Sequence, residues 1–229
     1  MVAQTNKRGK LIVIDGTDGS GKETQSKLLV DRLRSEDFPV EMVDFPMYGQ
    51  PSAALVEMYL NGEFGKAEEV GPKIASAFYA FDRFSHSKAM YEWLNQGKII
   101  ISNRYVSSNK GHQAGKLKDP TKIDAFLKWL DHLEYERFKI PRPDKIILLH
   151  MPYLIGHQLV ANKKEREYIK GKKRDIHEED LDHLRDAEKA YLYVAEKEGW
   201  DVIKCGERGK PFPMQQIHGA VYKAVKKIL

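Results

Sequence analysis

The sequence predicts an α/β protein in which a five-stranded parallel sheet is flanked by helices on both faces. Three observations lead there. Five short apolar runs are separated by longer stretches with helical periodicity. The runs are rich in Val and Ile, the composition of strands buried on both faces. The first run, Leu11-Ile12-Val13-Ile14, passes through Asp15 into Gly16-Thr17-Asp18-Gly19-Ser20-Gly21-Lys22-Glu23-Thr24, and a helical pattern follows. Strand, glycine-rich loop and helix in that order mark a phosphate-binding loop.

The elements can be taken in order. Strands are expected at residues 10–15, 40–44, 99–102, 145–150 and 201–204. Helices are expected at residues 22–35, 52–61, 71–95, 120–139, 153–162, 178–198 and 213–228. Each strand candidate is a short β-branched or aliphatic run, and each helix candidate repeats its apolar residues at three- and four-residue spacing. The chain carries no internal repeat and no low-complexity stretch. The expectation is one domain over residues 1–229. In sheets of this kind ligands sit at the carboxyl ends of the strands. The residues just after each strand are therefore the ones to read for function.

Composition narrows the classes. With 229 residues, 41% hydrophobic and 31% charged, the chain has the make-up of a globular protein. A formal charge of +5 suits an anionic ligand and does not by itself argue for nucleic acid, so none is expected as a partner. The single cysteine, Cys205, excludes an internal disulfide and reads as structural. No apolar run approaches the roughly 20 residues needed to cross a bilayer, and the N-terminus has no apolar signal core. A cytoplasmic location without membrane contact is the expectation.

Gly16 to Lys22 fits G-x-x-x-x-G-K. The glycines let backbone N–H groups turn toward phosphate oxygens, the helix N-terminus adds partial positive charge, and Lys22 adds a full one. Glu23 stands where the motif places a metal-reaching hydroxyl, and Thr24 follows one place later. After the second strand comes Phe45-Pro46-Met47-Tyr48-Gly49, either a plain turn or an aromatic wall for a ligand. Tyr79 and Arg83 are four apart on one helix and share a face. They could stack on a base and bind a phosphate, while Phe78 and Phe81 beside them read as core. After the third strand, Arg104 is placed for an anion, with the planar fork that suits phosphate. Ser108, Asn109 and Gln113 can donate and accept at a base edge, with helix capping as the alternative for Ser107 or Ser108. The run from Asn162 to Asp175 is charged and nearly free of aliphatics, so it reads as a solvated loop or as a basic lid over about residues 162–178.

Together these pieces resemble the thymidylate kinases of the nucleoside-monophosphate kinase group, over almost the whole chain. The resemblance implies a P-loop kinase fold and Mg²⁺-dependent transfer of the ATP γ-phosphoryl group to dTMP, giving dTDP and ADP. It implies that Gly16, Thr17, Asp18, Gly19, Ser20, Gly21, Lys22, Glu23 and Thr24 bind ATP. It implies a dTMP site of Asp18, Phe45, Tyr48, Tyr79, Arg83, Arg104, Ser108, Asn109 and Gln113. In that site Arg104 and Arg83 hold the phosphate and Tyr79 stacks on thymine. Gly19 resembles the style that draws its catalytic arginine from the lid, so Lys22, Arg104 and Arg174 (or Arg166 in its place) become the catalytic set. The family usually forms homodimers. Three positions depart from its pattern: Glu23 for a hydroxyl, Asn103 for an Asp, and His150 for an Asp. Asp15 or Glu23, acting through a metal-bound water, is the expected replacement for the missing charge. Two readings stay beside the main one: a nucleotide-binding protein of this fold with little turnover, and a kinase of dUMP or a modified dUMP.

Overall fold

The computed structural model describes residues 8–161 and 181–229. The expected lid over about residues 162–178, with Arg166 and Arg174, lies outside the described residues. Five strands, β1 (Leu11–Asp15), β2 (Val40–Asp44), β3 (Ile99–Asn103), β4 (Lys145–His150) and β5 (Asp201–Lys204), form one parallel sheet in the order β2-β3-β1-β4-β5. Around it lie α1 (Lys22–Ser35), α2 (Ala54–Leu60), α3 (Ala67–Asn95), α4 (Val106–His112), α5 (Pro120–Asp131), α6 (Tyr153–Ala161), α7 (Leu181–Glu198) and α8 (Met214–Lys226). A two-residue hairpin, β6 (Gly206–Glu207) with β7 (Lys210–Pro211), follows β5.

Pleating explains the unbroken apolar strands. Along β1, Leu11 and Val13 join the core under α3, α4, α5 and α7, while Ile12 and Ile14 join the core under α1 and α8. All four are fully buried. The stripe Ile217, Val221 and Val225 seals α8 onto the second core, at roughly 1.5–3 kcal/mol for each side chain fully buried. β1 occupies the centre, β3 lies on one side and β4 on the other. The chain therefore reverses direction across the sheet beside β1, and the crevice at its carboxyl end is where the phosphate loop sits.

Several elements differ from expectation, each for a local reason. Helix α3 begins four residues early, but Gly71 (φ 73°) before Pro72 breaks it. The helix expected over 52–61 opens as a 3₁₀ turn at Pro51–Ala53. Helix α5 ends at Asp131 and widens into π-helical His132–Arg137. Helix α4 has no counterpart among the expected helices. Its sequence, Val106-Ser107-Ser108-Asn109-Lys110-Gly111-His112, has almost no apolar periodicity, yet six of its seven residues are buried. Gly111 permits this, because a Cβ there would stand 2.3 Å from the Tyr191 ring of α7. Cys205 is buried, donates to the Ile203 carbonyl and has its thiol pushed up to about 12 by burial, as a structural cysteine would. Among the described residues no helix is long and apolar enough to cross a membrane.

Candidate active site

Two clefts meet at the carboxyl edge of the sheet. The first is built on the loop between β1 and α1. Gly21 is the N-cap of α1 in a left-handed conformation (φ 83°), with no side chain capping the helix. The N–H groups of Lys22, Glu23 and Thr24 have no intrahelical acceptor at that end. They add to the positive end of the helix dipole, which is the chemistry of an anion site. Asp18, Gly19, Gly21, Lys22, Glu23 and Thr24 line this cleft, together with Asp44, Asn103 and Arg104. Gly16, Thr17 and Ser20 do not line it. Thr17 Oγ1 donates to the Met151 carbonyl, and a Cβ on Gly16 would stand 2.5 Å from the Leu149 carbonyl oxygen, so these residues shape the loop from beneath.

Lys22 is buried at the base. Its Nζ donates to the Thr17 carbonyl at 3.1 Å and to Asp18 Oδ1 at 3.2 Å. Burial and then repulsion from Arg104 lower its pKa to about 8, against the pull of Asp18 and Asp15. A lysine pressed beside an arginine is a site short of negative charge.

The second cleft shares Asp18 and Arg104 with the first. All nine residues expected around dTMP line it: Asp18, Phe45, Tyr48, Tyr79, Arg83, Arg104, Ser108, Asn109 and Gln113. Buried Asp82 holds one wall in place by accepting from Met47 N at 2.9 Å and Ser52 Oγ at 2.6 Å, which ties the Phe45–Tyr48 turn to α3. That turn contains the cis peptide Phe45–Pro46. Tyr79 projects from α3 edge-on to Tyr59, with ring centres 6.3 Å apart. Asn109 Nδ2 donates to the Ser76 carbonyl, and buried Gln113 keeps an Oε1 with no hydrogen-bond partner among the described residues. Sequence reasoning missed Leu60, Tyr105 and His112, which also line the cleft. Tyr105 packs on Phe45 at 5.8 Å, and its place beside Arg104 was the available signal.

The two arginines of this cleft are held differently. Arg104 follows β3 with φ 63°, a left-handed conformation that costs an arginine about 1 kcal/mol or more. That bend aims the guanidinium at the phosphate loop, where it pairs with Asp18. His112 faces it at 3.3 Å, and burial pushes that imidazole well below its ordinary pKa, so the neutral ring accepts from Arg104. Burial opposes the Arg104 charge, and Asp18 more than restores it. Arg83 instead pairs with Glu134 through two donors, Nε reaching Oε2 at 3.1 Å, and donates to the Tyr105 carbonyl. Its side chain is 2% exposed and that of Glu134 is 0%, against 20% for Arg104 and 12% for Asp18. Burial also disfavours the Arg83 charge, and Glu134 restores it. Glu134 was missed as well, because a lone Glu in a charged helical run reads as solvated. A buried, compensated pair is a poor receiver for a dianion. The expectation that Arg83 shares the phosphate with Arg104 therefore does not fit this geometry.

Comparison with known proteins gives the family. The family model described as Thymidylate kinase matches residues 14–209. The chain belongs to the thymidylate kinase family. It is 29% identical over 191 residues to the thymidylate kinase of Mycobacterium tuberculosis, covering 83% of this chain and 87% of that one. It is 30% identical over 146 residues to a probable thymidylate kinase of Pyrococcus abyssi, covering 63% and 66%. The fold matches a solved structure of thymidylate kinase from Candida albicans with a TM-score of 0.67, over 96% of this chain and 92% of that one, at 21% identity. Membership makes the protein a nucleoside-monophosphate kinase, a phosphotransferase.

Against the thymidylate kinase pattern, the departing residues can now be located. Gly19 packs on α6, where a Cβ would meet the Gly156 carbonyl oxygen at 2.3 Å, so no arginine fits there. Asp15 is fully buried and receives Gly16 N, Ser107, Ser108 and Tyr191. With both oxygens engaged by the protein, it fixes α4 and α7 beneath the loop and has no capacity left for a metal-bound water. Ser108 accordingly faces Asp15 as well as the cleft. Glu23 pairs with Lys27 at 2.7 Å on the open face of α1. His150 Nε2 meets Glu188 at 2.6 Å, and that carboxylate also accepts from Tyr153 N, so β4 ends on a carboxylate supplied by α7.

The donor set fits Mg²⁺ brought in on ATP. Asn103 lines the loop cleft beside Thr24 and the Asp44 carboxylate, and its buried Oδ1 has no hydrogen-bond partner among the described residues. Hard oxygen donors of this kind suit a cation that retains water. No three His, Cys, Asp or Glu side chains among the described residues converge to hold a metal.

Proposed function

We propose that this chain transfers the γ-phosphoryl group of ATP to dTMP, giving dTDP and ADP, with Mg²⁺ as the required ion. The observation that carries the reading is the shared wall: Asp18 and Arg104 line both clefts. A donor phosphate on the loop and an acceptor phosphate on Arg104 would stand on either side of one carboxylate bridge. Phosphoryl transfer needs little covalent chemistry from a protein, so catalysis rests on alignment and neutralisation. Lys22 and the first N–H groups of α1 would hold the donor phosphates. Arg104 would exchange Asp18 for the acceptor phosphate, and Asp18, released, would face the sugar. Mg²⁺ would neutralise the charge on the ATP oxygens. Tyr79 would stack on the base, with Phe45 and Tyr48 as walls. Arg83, already neutralised, would serve as a hydrogen-bond donor to an uncharged base oxygen, beside Asn109 and Gln113.

The same reading extends to assembly as a homodimer. Helix α3 leaves Ile74, Phe81 and Phe84 about half exposed, and Phe138 packs on both phenylalanines. Large apolar side chains exposed together on a surface helix are what an interaction face presents. Phe81→Glu with Phe84→Glu should turn a dimer into a monomer by light scattering, and a wild type already monomeric would contradict the assembly.

The function is tested by coupled ADP release with dTMP, dUMP, dGMP and thymidine. Turnover is expected to be fastest with dTMP and weak with thymidine, which has no phosphate for Arg104. ADP release equal in all four, or absent with retained ATP binding, would overturn the assignment.

A further inference from the structure

Asp44 ends β2 and Asn103 ends β3, and the two are partners in the parallel register. Asn103 Nδ2 donates to Asp44 Oδ1 at 2.8 Å. An ionised carboxylate only accepts, so this bond fixes which end of the amide faces Asp44 and turns Oδ1 away from it. Asn103 is 5% exposed, and its Oδ1 has no hydrogen-bond partner among the described residues. Both residues stand on the wall of the loop cleft with Lys22, Thr24 and Arg104. The Asp44 carboxylate is open to cleft water, yet the cleft walls crowd it and raise its pKa, with Asn103 and Arg104 pulling the other way. The other acidic groups near the loop are engaged: Asp15 by four donors, Asp18 by Lys22 and Arg104, Glu23 by Lys27.

We propose that Asp44, held in place by Asn103, is the outer-shell holder for the Mg²⁺ that arrives on ATP, its carboxylate accepting hydrogen bonds from the bound waters. The inference rests on the ATP-dependent reading above. It assigns the charge absent from position 103 to the adjacent strand end, where Asn103 itself keeps it in place. Asp44 is thus a positioning residue: it acts through water and touches neither phosphate. Mg²⁺ gives up its water reluctantly, so a carboxylate that orders those waters is the economical way to hold it.

The test is a Mn²⁺ titration of the whole protein with the non-hydrolysable β,γ-imido analogue of ATP and dTMP present, bound Mn²⁺ being read by electron paramagnetic resonance. Binding of the same analogue without metal is measured by calorimetry. Asp44→Asn should weaken Mn²⁺ about 10-fold or more, the range for loss of an outer-shell partner. It should leave metal-free analogue binding unchanged or tighter, since a negative charge has gone. The double variant Asp44→Asn/Asn103→Asp moves the carboxylate to β3 and keeps an amide opposite it, and should recover most of the Mn²⁺ affinity. A shift under about twofold in Asp44→Asn, an equal loss with the metal-free analogue, or a double variant no better than the single would each overturn the proposal. Failure of the wild type to bind the analogue or to release ADP with dTMP would instead overturn the transfer reading.

Discussion

Both arginines of the acceptor cleft are paired with a carboxylate, and the two pairs differ in what they can give up. Arg83 and Glu134 are sealed in the core, with two charge-assisted bonds and almost no contact with water. Arg104 and Asp18 stand partly open between two clefts, and Asp18 also serves Lys22. The same residue types therefore carry different chemistry. A sealed pair has its charge cancelled permanently, because separating it would strand a charge in a medium of low dielectric constant. An open pair can trade its carboxylate for a phosphate, and the strained backbone at Arg104 aims it to do so. Compensation, more than arginine itself, decides which of the two meets an anion.

The largest expected effect separates the pairs by turnover. Arg104→Met should lower kcat/KM for dTMP by on the order of 10³-fold or more, the scale at which arginines stabilise transferring phosphoryl groups. Steady-state kinetics checks it, and a loss below about tenfold would erase the contrast. Next comes stability. Glu134→Gln leaves the Arg83 charge buried without its partner and should cost about 3–5 kcal/mol in urea unfolding. Asp18→Asn, at the more open pair, should cost less than Glu134→Gln, because Arg104 keeps some contact with water. Equal losses for these two variants would show that the pairs are not different in kind.

A smaller effect follows from pH. Lys22 carries a proton on the free enzyme only below about pH 8. Log kcat/KM for ATP should therefore fall by about one unit for each pH unit above 8, and Lys22→Arg should lack that limb. The stability sign runs the other way. Between about pH 8 and 10.5 the unfolded chain keeps the proton that folded Lys22 has shed, so this group's contribution to stability rises with pH across that window. Polyphosphate should pull the lysine pKa back up and shift the limb of kcat to higher pH. The smallest effect is at the base: Tyr79→Ala should weaken dTMP binding by about 1–3 kcal/mol, the usual worth of a ring stacked on a base.

Most of the frame was legible in the sequence because it is written in apolar periodicity. Leu11 to Ile14 are buried on both faces and read as a continuous run. The phosphate loop was legible because its glycines serve backbone geometry. Polar burial hid the rest. Helix α4 is held by Ser107 and Ser108 on Asp15, and by Lys110 between Asp131 and Glu198, which no hydrophobic pattern announces. Glu134 looked like a solvated charge until its partner was placed 51 residues away in the chain. Asp44 looked like the end of a strand, because its relation to Asn103 exists only across the sheet. Most residues of the acceptor cleft were legible from their places after the strands and on one helix face, and the resemblance added Asp18 and their roles, but the division of labour between the two arginines needed their partners.

That division is tested most directly by the ratio of the thymidine and dTMP dissociation constants, measured by calorimetry in three proteins: wild type, Arg104→Met, and the double variant Arg83→Met/Glu134→Leu, which replaces the sealed pair with apolar side chains. The ratio reports what the phosphate alone contributes to binding. If Arg104 is the anion receiver, the ratio falls toward one in Arg104→Met and keeps its wild-type value in the double variant, even where both ligands bind more weakly. A ratio that survives in Arg104→Met and collapses in the double variant would contradict the account.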